Sequence, residues 1–287
     1  RRMFYDAHNH LQDDWLRPHW ERIAADREAA GIGAMVVNGT CEADWPVVAE
    51  LARRFPWVRP SYGLHPWDVG NASPGWRDAL QRQLDADPRA AVGEIGLDRW
   101  ILERARPDDP RLAGLRRASL AEQDEAFRWQ LALAAERGRP ASVHCLEAWG
   151  ALSAASAETR RPAGFLLHAY GGPVELVGFY AGLGAYFSFN GHWLGTAVES
   201  ARAERFQALV RAFPEDRLLV ETDAPAMPLP GERRRFALPA RAEGTEVAHP
   251  ADLVAAQAGL AELRGAEPAP LAVRLERNFH ALFGPDR

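Results

Sequence analysis

Short runs rich in β-branched and aromatic residues alternate along the chain with amphipathic stretches of roughly 12 to 20 residues, from one end to the other. The pattern predicts eight strands, approximately Phe4 to His10, Ala34 to Thr40, Val58 to His65, Ala91 to Asp98, Ala141 to Cys145, Gly164 to Ala169, Ala185 to Asn190 and Leu218 to Asp223. Between them apolar residues recur at i, i+3 and i+4, as in Ala43 to Phe55, Glu122 to Arg137 and Glu199 to Phe213, which is the spacing of a helix with one buried face. Strands separated by helices pair in parallel, because the helix returns the chain across the sheet. Eight such units predict one (β/α)8 TIM barrel domain over residues 1–287, an α/β fold of parallel strands with its active site at their C-terminal ends. An open doubly wound sheet is the alternative. Three segments that follow strand ends lack periodicity: Arg99 to Ser119, Gly191 to Ala197 and Ala224 to His249.

Composition narrows the class. The length of 287 residues is close to the roughly 250 of a single closed barrel. With 47% hydrophobic and 25% charged residues, and no apolar run near the roughly 18 residues of a membrane span, the chain reads as globular with no membrane partner. The N-terminal run RRMFYDAHNH lacks the apolar stretch of a signal peptide, and two cysteines, Cys41 and Cys145, are too few for a disulfide framework. A reducing cytoplasm is the expected location, with no obligate protein partner. A net charge of -5 argues against nucleic-acid binding through a broad basic surface. All 34 basic residues are arginine, which excludes a lysine Schiff base, a phosphate-binding lysine of the Walker type and a carbamylated lysine between two metals.

Six of the nine histidines, His8, His10, His65, His144, His168 and His192, fall at or just past predicted strand ends, as do Glu94 and Asp223. Side chains alternate across a strand, so His8 and His10 share one face, the interior one in a barrel. They form a chelating pair, and His144, His168 and Asp223 from three other strands can reach the same rim. A single strand-end histidine is ordinarily a hydrogen-bonded structural residue. Several converging on one rim point instead to metal ligation. Imidazole mixed with carboxylate suits transition metals better than calcium, and Zn, Mn, Mg, Fe, Co and Ni all stay open. Two cations about 3.5 to 4 Å apart need a group that ligates both, and without lysine Glu94 is the natural bridge. Asp6 and Glu221, each two positions before a ligand, are expected to support it. Cys145 reads as inert, and His19, His249 and His280 as unrelated to the site.

The runs DAHNH (Asp6 to His10), GLHP (Gly63 to Pro66), GEIGLD (Gly93 to Asp98), VHC with an acidic residue and Ala following (Val143 to Ala148), LHAYGG (Leu167 to Gly172) and ETDAP (Glu221 to Pro225) resemble, in order, the signature of TatD-related metal-dependent hydrolases and deoxyribonucleases, with their amidohydrolase-like barrel. Gln123, Phe127 and Asn278 near Leu282 and Phe283 also match. The resemblance implies two divalent cations that activate water against phosphodiesters, commonly in DNA. It further implies His8, His10, Glu94 and Asp223 at one cation and Glu94, His144 and His168 at the other.

Two departures bear on the substrate. Leu146 stands where the family usually has Arg after the fifth-strand histidine, although Arg99, Arg104, Arg106 and Arg233 to Arg235 lie in nearby loops. Trp15, Trp67, Trp100, Trp149 and Trp193 lie just beyond strand ends. There they could stack single-stranded bases, worth about 1 to 3 kcal/mol each, hold an apolar ligand, or pack beneath loops. The expectation is that water is the nucleophile, Asp223 accepts its proton and Glu94 bridges the metals. His65, Trp67, Trp149 and Arg99 then contact a small-molecule or single-stranded nucleic-acid substrate, with Trp67 and Trp149 partly accessible. Two other readings remain. Hydrolysis of an amide, ester or lactone on the same dinuclear barrel is favoured by Leu146 and the tryptophan rim. A non-catalytic nucleic-acid-binding scaffold is disfavoured by the intact ligand set.

Overall fold

The computed structural model describes residues 3–195 and 201–285. Eight strands lie in one sheet in sequence order: β1 (Phe4–Asn9), β2 (Ile32–Asn38), β3 (Val58–Tyr62), β4 (Ala91–Asp98), β5 (Ala141–Leu146), β6 (Phe165–Leu167), β7 (Ala185–Asn190) and β8 (Leu218–Glu221). The registers of β1 with β2, β3 with β4, β4 with β5, β5 with β6 and β7 with β8 are all parallel. This is the (β/α)8 arrangement the periodicity predicts. All eight expected strands are present, but β1, β2, β3, β6 and β8 end one to three residues sooner than the apolar pattern suggests. At two of these ends the backbone leaves extended geometry, with Ala169 and Asp223 in the left-handed region at φ 43° and 51°.

The helices are α1 (Trp20–Ala30), α2 (Trp45–Arg54), α3 (Trp76–Ala86), α4 (Trp100–Glu103), α5 (Leu120–Glu136), α6 (Trp149–Glu158), α7 (Leu176–Gly182), α8 (Ala201–Ala212), α9 (Leu253–Arg264) and α10 (Pro268–Phe283). The expected helix Glu199 to Phe213 is α8, and its first two predicted positions lie outside the described residues. Segment 99–119 is more ordered than its sequence suggests. It holds α4 and a 3-10 turn at Pro110–Leu112, with Ile101, Ala105 and Leu112 buried together against Trp67, Trp100 and Leu115. Gly191–Gly195 is a 3-10 turn, and residues 196 and 197 of that expected loop lie outside the described residues. Segment 224–249 contains one short 3-10 helix, at Gly231–Arg233, and is otherwise turns and irregular backbone. No helix among the described residues is long and apolar enough to cross a membrane.

The chain divides into two compact units. The first comprises Arg1–Val37, His168–Ala181 and Tyr186–Arg287. In it β1 meets β8, with the Asp223 N–H donating to the His8 carbonyl at 2.9 Å and the His10 N–H to that of Ala224 at 2.8 Å. Asn278 on α10 donates to the carbonyls of Glu215 and Leu218 at 2.8 and 2.9 Å, fixing the start of β8. The second unit, Asn38–Leu167 with Gly182–Ala185, carries β3 to β6. Its long helix α5 opens with a reciprocal Ser119/Glu122 capping box, legible as Ser-x-x-Glu.

Two buried glutamines on α5, seven residues apart and so on one helix face, pin strand ends. Gln123 accepts from the Asp98 N–H at 2.8 Å and donates to the Asp98 and Ala118 carbonyls at 3.1 Å. Gln130 treats Leu64 the same way, at 2.7 and 3.2 Å. Gln123→Leu keeps comparable bulk but strips partners from a buried N–H and two carbonyls, each costing about 1 to 3 kcal/mol when unsatisfied. The expected result is a loss of about 2 to 4 kcal/mol in urea unfolding. An unchanged midpoint would mean that the end of β4 is held by something else.

Candidate metal centre

In the first unit, His8 is the penultimate residue of β1 and His10 lies just past the strand's end. Their Nε2 atoms are 3.3 Å apart, and Asp223 Oδ1 is 3.7 Å from the former and 3.4 Å from the latter. Two donors each bonded to one tetrahedral cation at about 2.0 to 2.1 Å stand about 3.3 Å from each other, so this trio has the spacing of ligands to a common ion. The shared-face prediction for His8 and His10 holds. Asp6, fully buried, draws the two strand ends together. Its Oδ1 accepts from the His8 and Thr222 N–H groups at 3.2 and 3.0 Å, and its Oδ2 from Thr222 Oγ1 and Asn9 Nδ2 at 2.6 and 3.0 Å. Burial pushes the Asp6 carboxyl up to about 7 despite these bonds.

Asp223 is held in left-handed backbone geometry, a strain of order 1 to 3 kcal/mol that persists where surrounding contacts over-determine it. Burial would raise its carboxyl, but the imidazoles of His10, His168 and His8 bring it below the usual range. The ring of His168 stacks on that of His8, with centroids 3.9 Å apart and planes 7° from parallel. His168 Nδ1 faces Glu221 Oε1 at 3.5 Å, a contact of the kind that fixes the orientation of an imidazole. Glu221 is itself fixed by Ser188, by the Ala169 N–H at 3.1 Å and by Asn190 at 3.3 Å. Asp6 and Glu221 thus have the supporting contacts expected of them.

In the second unit, Glu94 is 2% exposed on β4 and its Oε1 lies 3.1 Å from His144 Nδ1 and 3.5 Å from His65 Nε2. His65, Glu94 and His144 form another metal-capable trio. The sequence assigns His65 to substrate alone, whereas its position beside Glu94 also qualifies it as a ligand. Asp98 was missed as a functional residue: its Oδ2 lies 3.1 Å from His144 Nε2 and accepts the Trp67 indole N–H at 2.6 Å. Period-two alternation puts residues 94 and 98 on one strand face, which is the signal that could have found it. Between them Gly96 has φ 149°, and a Cβ there would collide with the His144 carbonyl, so only glycine lets β5 approach. Burial alone would lower the His144 imidazole, but the flanking carboxylates of Asp98 and Glu94 hold it up at about 9. A cation at this ring must displace a proton, so its binding becomes tighter as pH rises. Burial lowers His65 against the pull of Glu94.

The residues expected at the substrate differ in how committed they are. Trp67 and Trp149 are half-buried, as expected. Trp67 lies near-parallel to Trp100 at 6.1 Å, and the Arg111 guanidinium covers Trp100 at 4.8 Å. Trp193 lies under Arg202 at 4.6 Å. Trp15 is 41% exposed, with Arg241 over its ring at 4.9 Å. Arg106 and Arg111 grip Asp108 and Asp109 at 2.8 and 2.6 Å, and Arg104 faces Glu147 at 3.3 Å. Arg99 is different: Glu103 is 3.9 Å from its Nε, and that nitrogen is buried without a hydrogen bond. Its backbone N–H donates to the carbonyl of Leu146, which is 39% exposed at the end of β5. Cys145 is a thiol pushed up by burial, in keeping with an inert role. His249 caps a 3-10 turn and pairs with Asp26 at 3.1 Å, His280 bonds the Gly284 carbonyl, and His192 bonds that of Pro228.

The motif order that suggested a family in the sequence has independent counterparts. The chain is 29% identical over 291 residues to the 3'-5' ssDNA/RNA exonuclease TatD of Klebsiella pneumoniae (strain 342), covering 99% of this chain and 98% of that one. It is 30% identical over 224 residues to the protein of the same name from Edwardsiella piscicida, covering 74% and 78%. Its fold superposes on YJJV, a TatD homologue from Escherichia coli k12, with a TM-score of 0.81 and 26% identity over 98% of both chains. The profile of TatD related DNases matches residues 5–284, nearly the whole chain, and the protein belongs to that family.

Proposed function

We propose that the protein is a metal-dependent phosphodiesterase that degrades single-stranded nucleic acid, with His8, His10, Glu94, His144, His168 and Asp223 holding two divalent cations and Glu94 common to both. The observation that carries this reading is the pair of histidine and carboxylate trios at strand ends, His8/His10/Asp223 and His65/Glu94/His144. Bound there, divalent cations supply Lewis acidity and bring the pKa of water toward neutrality. Asp223, kept ionised by its imidazole neighbours, accepts the proton of the attacking water. Asp98 and Glu221 orient His144 and His168 through the ring nitrogens not used for ligation. His65, Arg99, Trp67 and Trp149 contact the substrate, and the open ring of Trp15 under Arg241 offers a further face for a base.

The test is cleavage of an end-labelled single-stranded oligonucleotide and of bis(p-nitrophenyl) phosphate, before and after chelation. Both activities should vanish with chelator and return with Mn, Zn or Mg. Cleavage that survives exhaustive chelation would exclude the reading. Arg99→Ala removes a guanidinium whose Glu103 partner stands 3.9 Å away and whose buried Nε makes no hydrogen bond. Charge-assisted hydrogen bonds contribute about 1.5 to 3 kcal/mol, so KM for the oligonucleotide should rise about tenfold or more with kcat within threefold. An unchanged KM would reassign Arg99 to the surface. A second reading, hydrolysis of a lactone, amide or ester, is favoured by the exposed apolar Leu146 beside Arg99. Parallel assays of such compounds at equal metal loading separate the two.

A further inference from the structure

Trp67 lies in the loop after β3, and its half-buried ring could be taken for a substrate platform alone. Its strongest contact points inward. The indole N–H donates to Asp98 Oδ2 at 2.6 Å, the same oxygen that lies 3.1 Å from His144 Nε2, while His144 Nδ1 lies 3.1 Å from Glu94. The result is one continuous row, Trp67 to Asp98 to His144 to Glu94, within a single compact unit.

The other contacts of Asp98 fix it at both ends. Its backbone N–H and C=O are clamped by Gln123, and its Oδ1 accepts the Ile101 N–H at 3.1 Å. That leaves Oδ2 shared between one indole and one imidazole. The indole determines where that oxygen sits. A carboxylate rotates about its side-chain bonds at little cost, and a few tenths of an ångström at Oδ2 swings the imidazole it holds. The ring of Trp67 is in turn packed on Trp100, which is covered by Arg111, whose guanidinium is anchored on Asp109 at 2.6 Å. The ordered segment 99–119 therefore braces Trp67 from outside, while its N–H braces Asp98 from inside.

We infer that Trp67 is a positioning residue for the metal centre, acting through its indole N–H on Asp98 to fix His144 for ligation. The inference rests on the proposed ligand role of His144. Hydrogen-bond partners one step behind a metal ligand typically change affinity by about 10- to 100-fold when removed. An indole donor feeding a carboxylate feeding a ligand is two steps behind, so the lower end of that range is the expectation.

The test measures cation affinity directly, by calorimetric titration of the chelator-stripped protein with Zn or Mn, and needs no substrate. Three proteins are compared with wild type: Trp67→Phe, the same position carrying benzothienylalanine, and Trp100→Phe. Benzothienylalanine keeps the shape and stacking of tryptophan but replaces the N–H by sulfur. It should weaken the affected cation about tenfold and leave the melting temperature of the stripped protein unchanged. Trp67→Phe should weaken it at least as much. Trp100→Phe, which leaves the indole N–H of Trp67 in place, should change affinity less than threefold. Wild-type affinity in the benzothienylalanine protein would overturn the inference. So would an equal loss in Trp100→Phe, which would assign the effect to loop packing. His144→Ala keeps the two claims apart: if it binds cations like wild type, the ligand set itself is wrong, and this inference falls with it.

Discussion

Glu94→Ala is expected to lose close to one cation per chain and to retain little hydrolytic activity, the largest combined effect of any single substitution proposed for this protein. Glu94 is 2% exposed, and its Oε1 is shared between His65 and His144. In a chain without lysine no carbamate can replace it. A carboxylate serving two ions counts twice, so its removal should exceed the effect of His168→Ala, which takes one ligand from one ion. If several kcal/mol of transition-state stabilisation depend on both ions, the rate falls by at least about a thousandfold. Folding should suffer less. His144 keeps Asp98 as its partner, and the end of β4 remains clamped by Gln123. Elemental analysis after dialysis should give close to two cations per wild-type chain and distinctly fewer for the variant. Two tightly held ions with near-normal turnover in Glu94→Ala would remove Glu94 from the bridge.

Much of this was legible in the sequence because the relevant signals are periodic. Alternation along β1 gives the shared face of His8 and His10, while Glu94 is singled out by its place on the fourth strand and by the absence of lysine. Less legible were features that depend on how loops return to the strands. Asp98 looks in sequence like the last residue of a strand. Its importance arises because Gln123, 25 positions away, fixes its backbone and Trp67, 31 positions away, fixes its side chain. The order in segment 99–119 is hidden because its arginines and prolines break periodicity, while its small core of Ile101, Ala105 and Leu112 is completed by Trp67 from outside the segment along with Trp100 and Leu115. The arginines there also read alike in sequence. The distances separate them, because a guanidinium at 2.6 to 2.8 Å from a carboxylate is already engaged, whereas Arg99 at 3.9 Å is not.

Asp223→Asn isolates proton transfer from metal binding. The amide matches the carboxylate in size and keeps one oxygen that can ligate, but it cannot take a proton from water. The side chain is well placed for both tasks: Oδ1 lies 3.4 Å from His10 Nε2 and 3.7 Å from His8 Nε2, and the surrounding imidazoles hold the carboxyl in its ionised, accepting form. The backbone N–H of residue 223, which donates to the His8 carbonyl, is untouched by the change, so the meeting of β1 with β8 should persist. General-base catalysis contributes about 10²- to 10⁴-fold, and kcat should fall within that range at saturating metal. KM should stay near wild type, because the lost interaction operates only as the proton moves. The control is metal content. If Asp223→Asn holds fewer ions than wild type at the assay concentration, the measurement is repeated at metal levels that restore occupancy, and the kcat deficit should remain. Turnover that recovers fully once the ions are restored would mean that Asp223 serves only as a ligand, and that another group accepts the proton.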